Sequence, residues 1–141
     1  MKDKKKIINF LDLGIKSLED NQILLAIDYF EKAHNERPES ITINNNLGLA
    51  YKKTFRYKDA INCFKKIIEI KPNIPEAHNN LGNIFKDTGL IKESERSYLR
   101  ALVLKPNSLE YYNNLAVFYL MIGNNKKAEF YYKKILSVQP N

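Results

Sequence analysis

Residues Glu76 to Asn107 read EAHNNLGNIFKDTGLIKESERSYLRALVLKPN, and this stretch decides the fold because the rest of the chain repeats it. Its proline, Pro106, has counterparts at Pro38, Pro72 and Pro140, always 34 residues apart. Other positions keep the same step. Leu13, Leu47, Leu81 and Leu115 form one column, and Gly14, Gly48, Gly82 and Ala116 form the next. Four more follow: Ser17, Tyr51, Phe85, Tyr119; Ala26, Ala60, Ser94, Ala128; Phe30, Phe64, Tyr98, Tyr132; and Ala33, Ile67, Ala101, Ile135. A fixed period of roughly 20–50 residues marks a repeat architecture, in which one supersecondary unit is copied along the chain.

Each column has a physical reason. The leucine, the small residue and the aromatic three further on share one face of a first helix. The small residue lets a second helix approach closely, and Ala26, Ala60, Ser94 and Ala128 answer it from that helix. The aromatic four residues later fills the space between them. Asn21, Phe55, Gly89 and Gly123 fall between the helices, where Gly and Asn suit a left-handed helix end. Phe55 breaks that rule, so a different turn or strain is expected at Thr54–Arg56. Each proline closes a second helix. The spacing predicts eight helices near 7–20, 23–36, 41–54, 57–70, 75–88, 91–104, 109–122 and 125–138.

The 141 residues suffice for one compact unit or a short repeat array, and 44% of them are hydrophobic. The longest apolar run, Leu115 to Ile122, is too short to cross a membrane. The start has a charged head but no long apolar stretch or cleavage site. One cysteine, Cys63, excludes an intramolecular disulfide and suits a reducing compartment. A soluble cytoplasmic protein with no membrane association is expected. Two histidines and one cysteine match no zinc spacing, so no metal and no cofactor are expected. No phosphate loop or nucleophile elbow occurs. Cys63 lacks a base on its own helix face, His78 falls on a packing column, and no catalytic residue is assigned. The chain reads as a non-enzyme.

These columns resemble the tetratricopeptide repeat, whose pattern is Leu-Gly, then Tyr, Ala, an aromatic, Ala and Pro over 34 residues. The resemblance implies an all-α fold, a right-handed α-solenoid of four helix-turn-helix repeats (7–40, 41–74, 75–108, 109–141) forming a single domain behind a basic tail, 1–6. The large aromatic near the start of each repeat appears here as Phe10, Asn44, His78 and Tyr112, so looser packing is expected there, as at Ser17. The family usually adds a solvating helix after the last repeat. None follows Asn141, so Tyr132, Ile135 and Val138 are expected to lack a cover: either the chain is cut from a longer protein, or this end packs against another molecule, with self-association into a homo-oligomer as one form of that.

The resemblance also implies that first helices line a concave groove binding a protein or an extended peptide. Its groove positions hold Asn45, Asn46, Leu49, Lys52 and Lys53 in the second repeat, and Asn79, Asn80, Asn83 and Lys86 in the third. In the fourth they hold Asn113, Asn114, Val117, Leu120 and Met121, and in the first they include Asp12, Ile15 and Leu18. Asn46, Asn80 and Asn114 form a column similar to the asparagine ladder in the repeat superhelix of protein O-GlcNAc transferase. A primary amide both donates and accepts, so such a column can hold a peptide backbone without reading side chains. Bonding between neighbouring helices is the alternative role. Lys52, Lys53 and Lys86 would tune partner charge, and Val117, Leu120 and Met121 would form an apolar end.

The carboxylate clamp that holds chaperone tails does not fit, because basic residues are missing where carboxylates must be neutralised. Net charge is +7, with 19 Lys and 4 Arg, yet the groove positions, which also include Glu19, Glu76, Asp87 and Glu110, carry five carboxylates with Asp12 against three lysines. The excess lies in Lys2–Lys6 and on second helices, where it reads as a solvated face rather than a nucleic-acid site. The expected function is a non-catalytic interaction module. Its rivals are a self-associating scaffold and the substrate-recognition fragment of a larger enzyme such as a glycosyltransferase.

Overall fold

The computed structural model describes the backbone of residues 2–138 and the side chains of residues 10–138. Among these there are eight helices and no strand: α1 Lys2–Glu19, α2 Ile23–Glu36, α3 Ile41–Lys53, α4 Tyr57–Ile70, α5 Pro75–Asp87, α6 Ile91–Leu104, α7 Leu109–Met121 and α8 Asn125–Val138. They match the eight expected from the spacing except at the start. There, α1 begins at Lys2, so the stretch expected to be a basic tail is helical, and its side chains lie outside the described residues. Pro140 also lies outside them.

Local chemistry sets the helix ends. Ser40 and Ser108 cap α3 and α7, each hydroxyl accepting from the backbone N–H three residues on, at 3.4 Å. Pro75 opens α5, where its missing N–H is no loss. Arg37, Lys71 and Lys105 precede prolines, and all three are driven out of the helical region to φ near −140. That shared conformation explains why three second helices stop at the same repeat position.

The turns within repeats are also alike. Asn21, Phe55, Gly89 and Gly123 all have positive φ, at 58, 59, 75 and 75. The next residue donates its N–H back to the carbonyl five before it: Gln22 to Ser17, Arg56 to Tyr51, Leu90 to Phe85 and Asn124 to Tyr119, at 2.7–2.9 Å. This is the Schellman closure. Phe55 therefore takes the common turn with backbone strain, rather than a different turn.

The chain divides into two compact units, Met1–Pro72 and Asn73–Asn141. In the first, α1 packs on α2, α3 on α4, and α2 on α3; in the second, α5 packs on α6, α7 on α8, and α6 on α7. Phe30 and Phe64 are fully buried in the first unit, as are Tyr98, Leu115 and Phe118 in the second. Close approach depends on the glycine column. A Cβ on Gly14 would stand 2.3 Å from the Phe30 ring, and one on Gly82 would stand 2.6 Å from Tyr98. Ser94 replaces alanine in its column without leaving an unmet hydroxyl, because it donates to Gly82 O at 2.8 Å. Ser17, at an aromatic column, is buried and donates to Leu13 O at 2.8 Å.

Candidate functional site

In the first unit, α1 and α3 present one apolar recess of about 220 Å³. It is lined by Leu18, Leu49, Ala50, Lys52 and Lys53. Lysine buries its methylenes along apolar surface while its ammonium stays in water. The lining therefore combines apolar side chains with two lysines. Asn45 and Asn46 are half-buried on α3, and Asn46 Nδ2 donates to Thr42 O at 2.9 Å within its own helix.

In the second unit two of the amides are engaged with each other. Asn79, only 4% exposed, accepts from Asn114 Nδ2 at 2.9 Å and donates to Glu110 Oε1 at 3.3 Å. Two groove positions on α5 and α7 are thereby tied together, which is the inter-helix role weighed for such amides. Asn83 accepts from Tyr98 OH at 2.7 Å, and Lys86 lies 3.6 Å from Asp87. Asn80 is half-buried, while Asn113 is exposed. Val117, Leu120 and Met121 are exposed on α7. Glu76 and Glu110 also face Tyr111, whose hydroxyl is pushed up to about 12, by burial first and then by these two charges.

On α8, Tyr132 and Val138 are exposed and Ile135 is half-buried. Phe130 and Leu136, which the repeat columns did not single out, are more exposed still. Two polar clusters were equally invisible in the columns. Tyr51 OH donates to Glu31 at 2.6 Å under the Arg56 guanidinium, which lies 4.3 Å from the ring centroid. Tyr119 OH donates to Glu95, with Lys127 Nζ at 3.0 Å from that carboxylate. Both clusters tie a second helix to the next first helix.

Cys63 is buried, and its thiol is pushed up to about 12 by burial and, to a smaller extent, by Asp59. A thiol held protonated is a poor nucleophile. Among the described residues no three His, Cys, Asp or Glu side chains gather to hold a metal, and no helix is long and apolar enough to cross a membrane.

Tetratricopeptide-repeat family models match residues 43–74, 75–108 and 97–130, which together span more than half of the chain. The protein belongs to the tetratricopeptide repeat family. No curated protein matches it. Among solved structures, a crystal structure of MamA superposes with a TM-score of 0.88 at 21% identity, covering 97% of this chain and 80% of that one. MamA 41-end from Desulfovibrio magneticus RS-1 gives 0.88 at 18% identity, over 94% of this chain and 75% of that one. MamA MSR-1 C2 gives 0.82 at 24% identity, over 94% and 76%. These likenesses are of fold.

Proposed function

We propose that this protein is a non-catalytic interaction module that holds extended segments of partner proteins along its first helices. The observation that carries this reading is the recess of Leu18, Leu49, Lys52 and Lys53 on α1 and α3, which coincides with positions the repeat register assigns to the groove. An apolar slot edged by two ammonium groups suits an apolar side chain with a carboxylate nearby. Asn46, Asn80 and Asn114 would add backbone hydrogen bonds, Asn114 through its carbonyl oxygen because its Nδ2 is engaged with Asn79. Asn45, Asn83, Lys86 and Asn113 would add polar contacts, and Val117, Leu120 and Met121 an apolar end.

The test is capture from lysate by the wild type and by two variants, Leu49→Glu and Asn46/Asn80/Asn114→Ala. Proteins captured by the wild type and lost with both variants are the expected result, with helicity by circular dichroism unchanged. Identical captures by all three would overturn the reading.

A second reading, self-association through α8, rests on a comparison between repeats. Leu136 and Val138 are 65% and 40% exposed, while the residues at the same repeat positions, Ile68 with Leu102 and Ile70 with Leu104, are half-buried. Apolar side chains left exposed where other repeats cover them mark a candidate contact surface.

A further inference from the structure

The second helices repeat one another every 34 residues, so their outer faces can be compared position by position. One column runs Lys32, Lys66, Arg100 and Lys134, a cation in every repeat. Three of the four have a partner. Lys32 reaches Asp28 at 2.7 Å, Lys66 reaches Glu39 at 2.8 Å and Glu69 at 3.8 Å, and Lys134 lies over the Phe130 ring, 5.4 Å from its centroid. Arg100 of α6 has none among the described residues. The positions that supply those partners explain the difference. Those of Asp28 and Phe130 hold Arg96 in the third repeat, that of Glu69 holds Val103, and that of Glu39 holds Asn73.

The departure extends along the helix. Lys92, Arg96, Leu99, Arg100 and Val103 are all exposed, and the helical period places them within about a third of the circumference of α6. Like charges four apart on a helix repel, and Lys92, Arg96 and Arg100 stand at that spacing. No ion pair relieves them among the described residues. Leu99 sits where the other repeats carry Glu31, Lys65 and Lys133, and Val103, 66% exposed, sits where they carry Asn35, Glu69 and Ser137. The chain has four arginines against 19 lysines, and two of the four are on this face, whereas Arg56 is held by Glu31 and Asp59. Glu93 stands at its edge, and the face stays cationic with it counted. A face kept only for solubility needs neither an exposed apolar pair nor cations stripped of their partners.

We propose that this face of α6 docks an acidic amphipathic helix of a partner protein. Carboxylates of that helix meet Lys92, Arg96 and Arg100, and its apolar side chains cover Leu99 and Val103. Residues four apart on a helix are spaced about 6 Å along its axis, so carboxylates four apart on a helix laid alongside match the three cations. Guanidinium groups grip carboxylates through two parallel N–H···O bonds, a geometry that ammonium lacks. The apolar pair decides against nucleic acid, whose phosphates would leave Leu99 and Val103 uncovered. Two apolar side chains on one helix are also too few to seat it in a bilayer. The face shares no residue with the Leu18–Leu49 recess or with α8, so it stands whether or not those readings do.

The test titrates the ¹⁵N-labelled protein, at physiological ionic strength, with an alanine-based helical peptide carrying three Glu four residues apart and two Leu on the same face. Saturable backbone shifts centred on α6 are expected, with binding about 10-fold weaker for the same peptide with Gln in place of Glu, since charge-assisted bonds are roughly twice as strong as neutral ones. Arg100→Glu should weaken binding about 10-fold or more by setting like charges against each other. Val103→Asn installs the residue found at Asn35 and leaves the charge unchanged. It should weaken binding roughly 3-fold through lost apolar burial, a loss that charge attraction alone would not show. Both positions are exposed, so the unfolding midpoints should stay at the wild-type value. Shifts that miss α6, equal binding of the Gln peptide, or unchanged binding by either variant would overturn the assignment. Tighter binding of the same face to duplex DNA, or to vesicles of phosphatidylserine and phosphatidylcholine, in parallel titrations would overturn it as well.

Discussion

Phe55 holds a left-handed conformation that its side chain disfavours, with φ at 59. The backbone there is set by the same back-reaching hydrogen bond that closes the other three turns. The ring compensates little, since it is 76% exposed and its described ring contact is edge-on with Tyr57 at 6.1 Å. A left-handed non-glycine residue costs roughly 1–2 kcal/mol. Phe55→Gly is therefore expected to raise stability by about 1 kcal/mol in urea unfolding, after the lost chain entropy of glycine is deducted. An unchanged or lower midpoint would mean that the contact with Tyr57 outweighs the strain. The glycine column works in the opposite sense. A methyl on Gly82 would sit 2.6 Å from Tyr98, and Gly82→Ala should destabilise by about 1–3 kcal/mol through overpacking. The fourth repeat carries Ala116 at that position, and there Tyr132 is 37% exposed where Phe30, Phe64 and Tyr98 are buried. Trimming the ring with Tyr98→Leu in the Gly82→Ala background should recover part of the loss, and strict additivity of the two changes would refute this coupling.

At the level of elements, α6, α7 and α8 meet at Tyr119, Glu95 and Lys127. The Tyr119 hydroxyl and the Lys127 ammonium, in that order, hold the Glu95 carboxyl below the ordinary value of 4.5, while burial pushes the other way. A carboxylate depressed in the folded state stabilises the fold above its unfolded pKa, and that stability is lost as pH falls through the folded value. Tyr119→Phe should cost about 1 kcal/mol at pH 7, the worth of one hydrogen bond. The same variant should show a smaller loss between neutral and acid pH than the wild type, because one of the two groups that lower Glu95 is gone. An identical acid loss in both proteins would show that Lys127 alone sets the pKa. The helices themselves were legible from sequence, because proline and the left-handed turn positions recur at a fixed step. The Tyr–Glu clusters were not. Tyr51 finds Glu31 at a separation of 20 residues and Tyr119 finds Glu95 at 24, so the two glutamates occupy different repeat positions and no column contains both.

For the whole molecule, repeat stability is a sum of units and nearest-neighbour interfaces, which makes any uncovered helix face informative. The register showed which positions belong to first helices, and Leu49, Lys52 and Lys53 among them line a recess. It could not show which partner an amide chooses, since one side chain can bond a ligand or a neighbouring helix. Asn114 bonds Asn79 across two helices, and Asn46 bonds its own helix. The same limit applied to Asn44: an amide in an aromatic column signalled loose packing, but only the fold revealed that it is buried and donates to Pro38 O and Ser40 O. On α8 the sequence pointed to Tyr132, Ile135 and Val138, and the structure adds Phe130 and Leu136 to the exposed apolar surface. Leu136 is the most exposed of these side chains, at 65%, and is the sharper probe. If α8 mediates self-association, sedimentation equilibrium should give a mass that rises with concentration above 16.5 kDa, and Leu136→Glu should restore the monomer. Burying a new carboxylate in an apolar contact is costly by several kcal/mol, far more than a weak association could offset. Because Leu136 is exposed, the same change should leave the unfolding midpoint of the dilute protein within about 0.5 kcal/mol of wild type. A wild type that remains monomeric at millimolar concentration would remove the scaffold reading and leave the first-helix recess and the outer face of α6 as the proposed surfaces for partners.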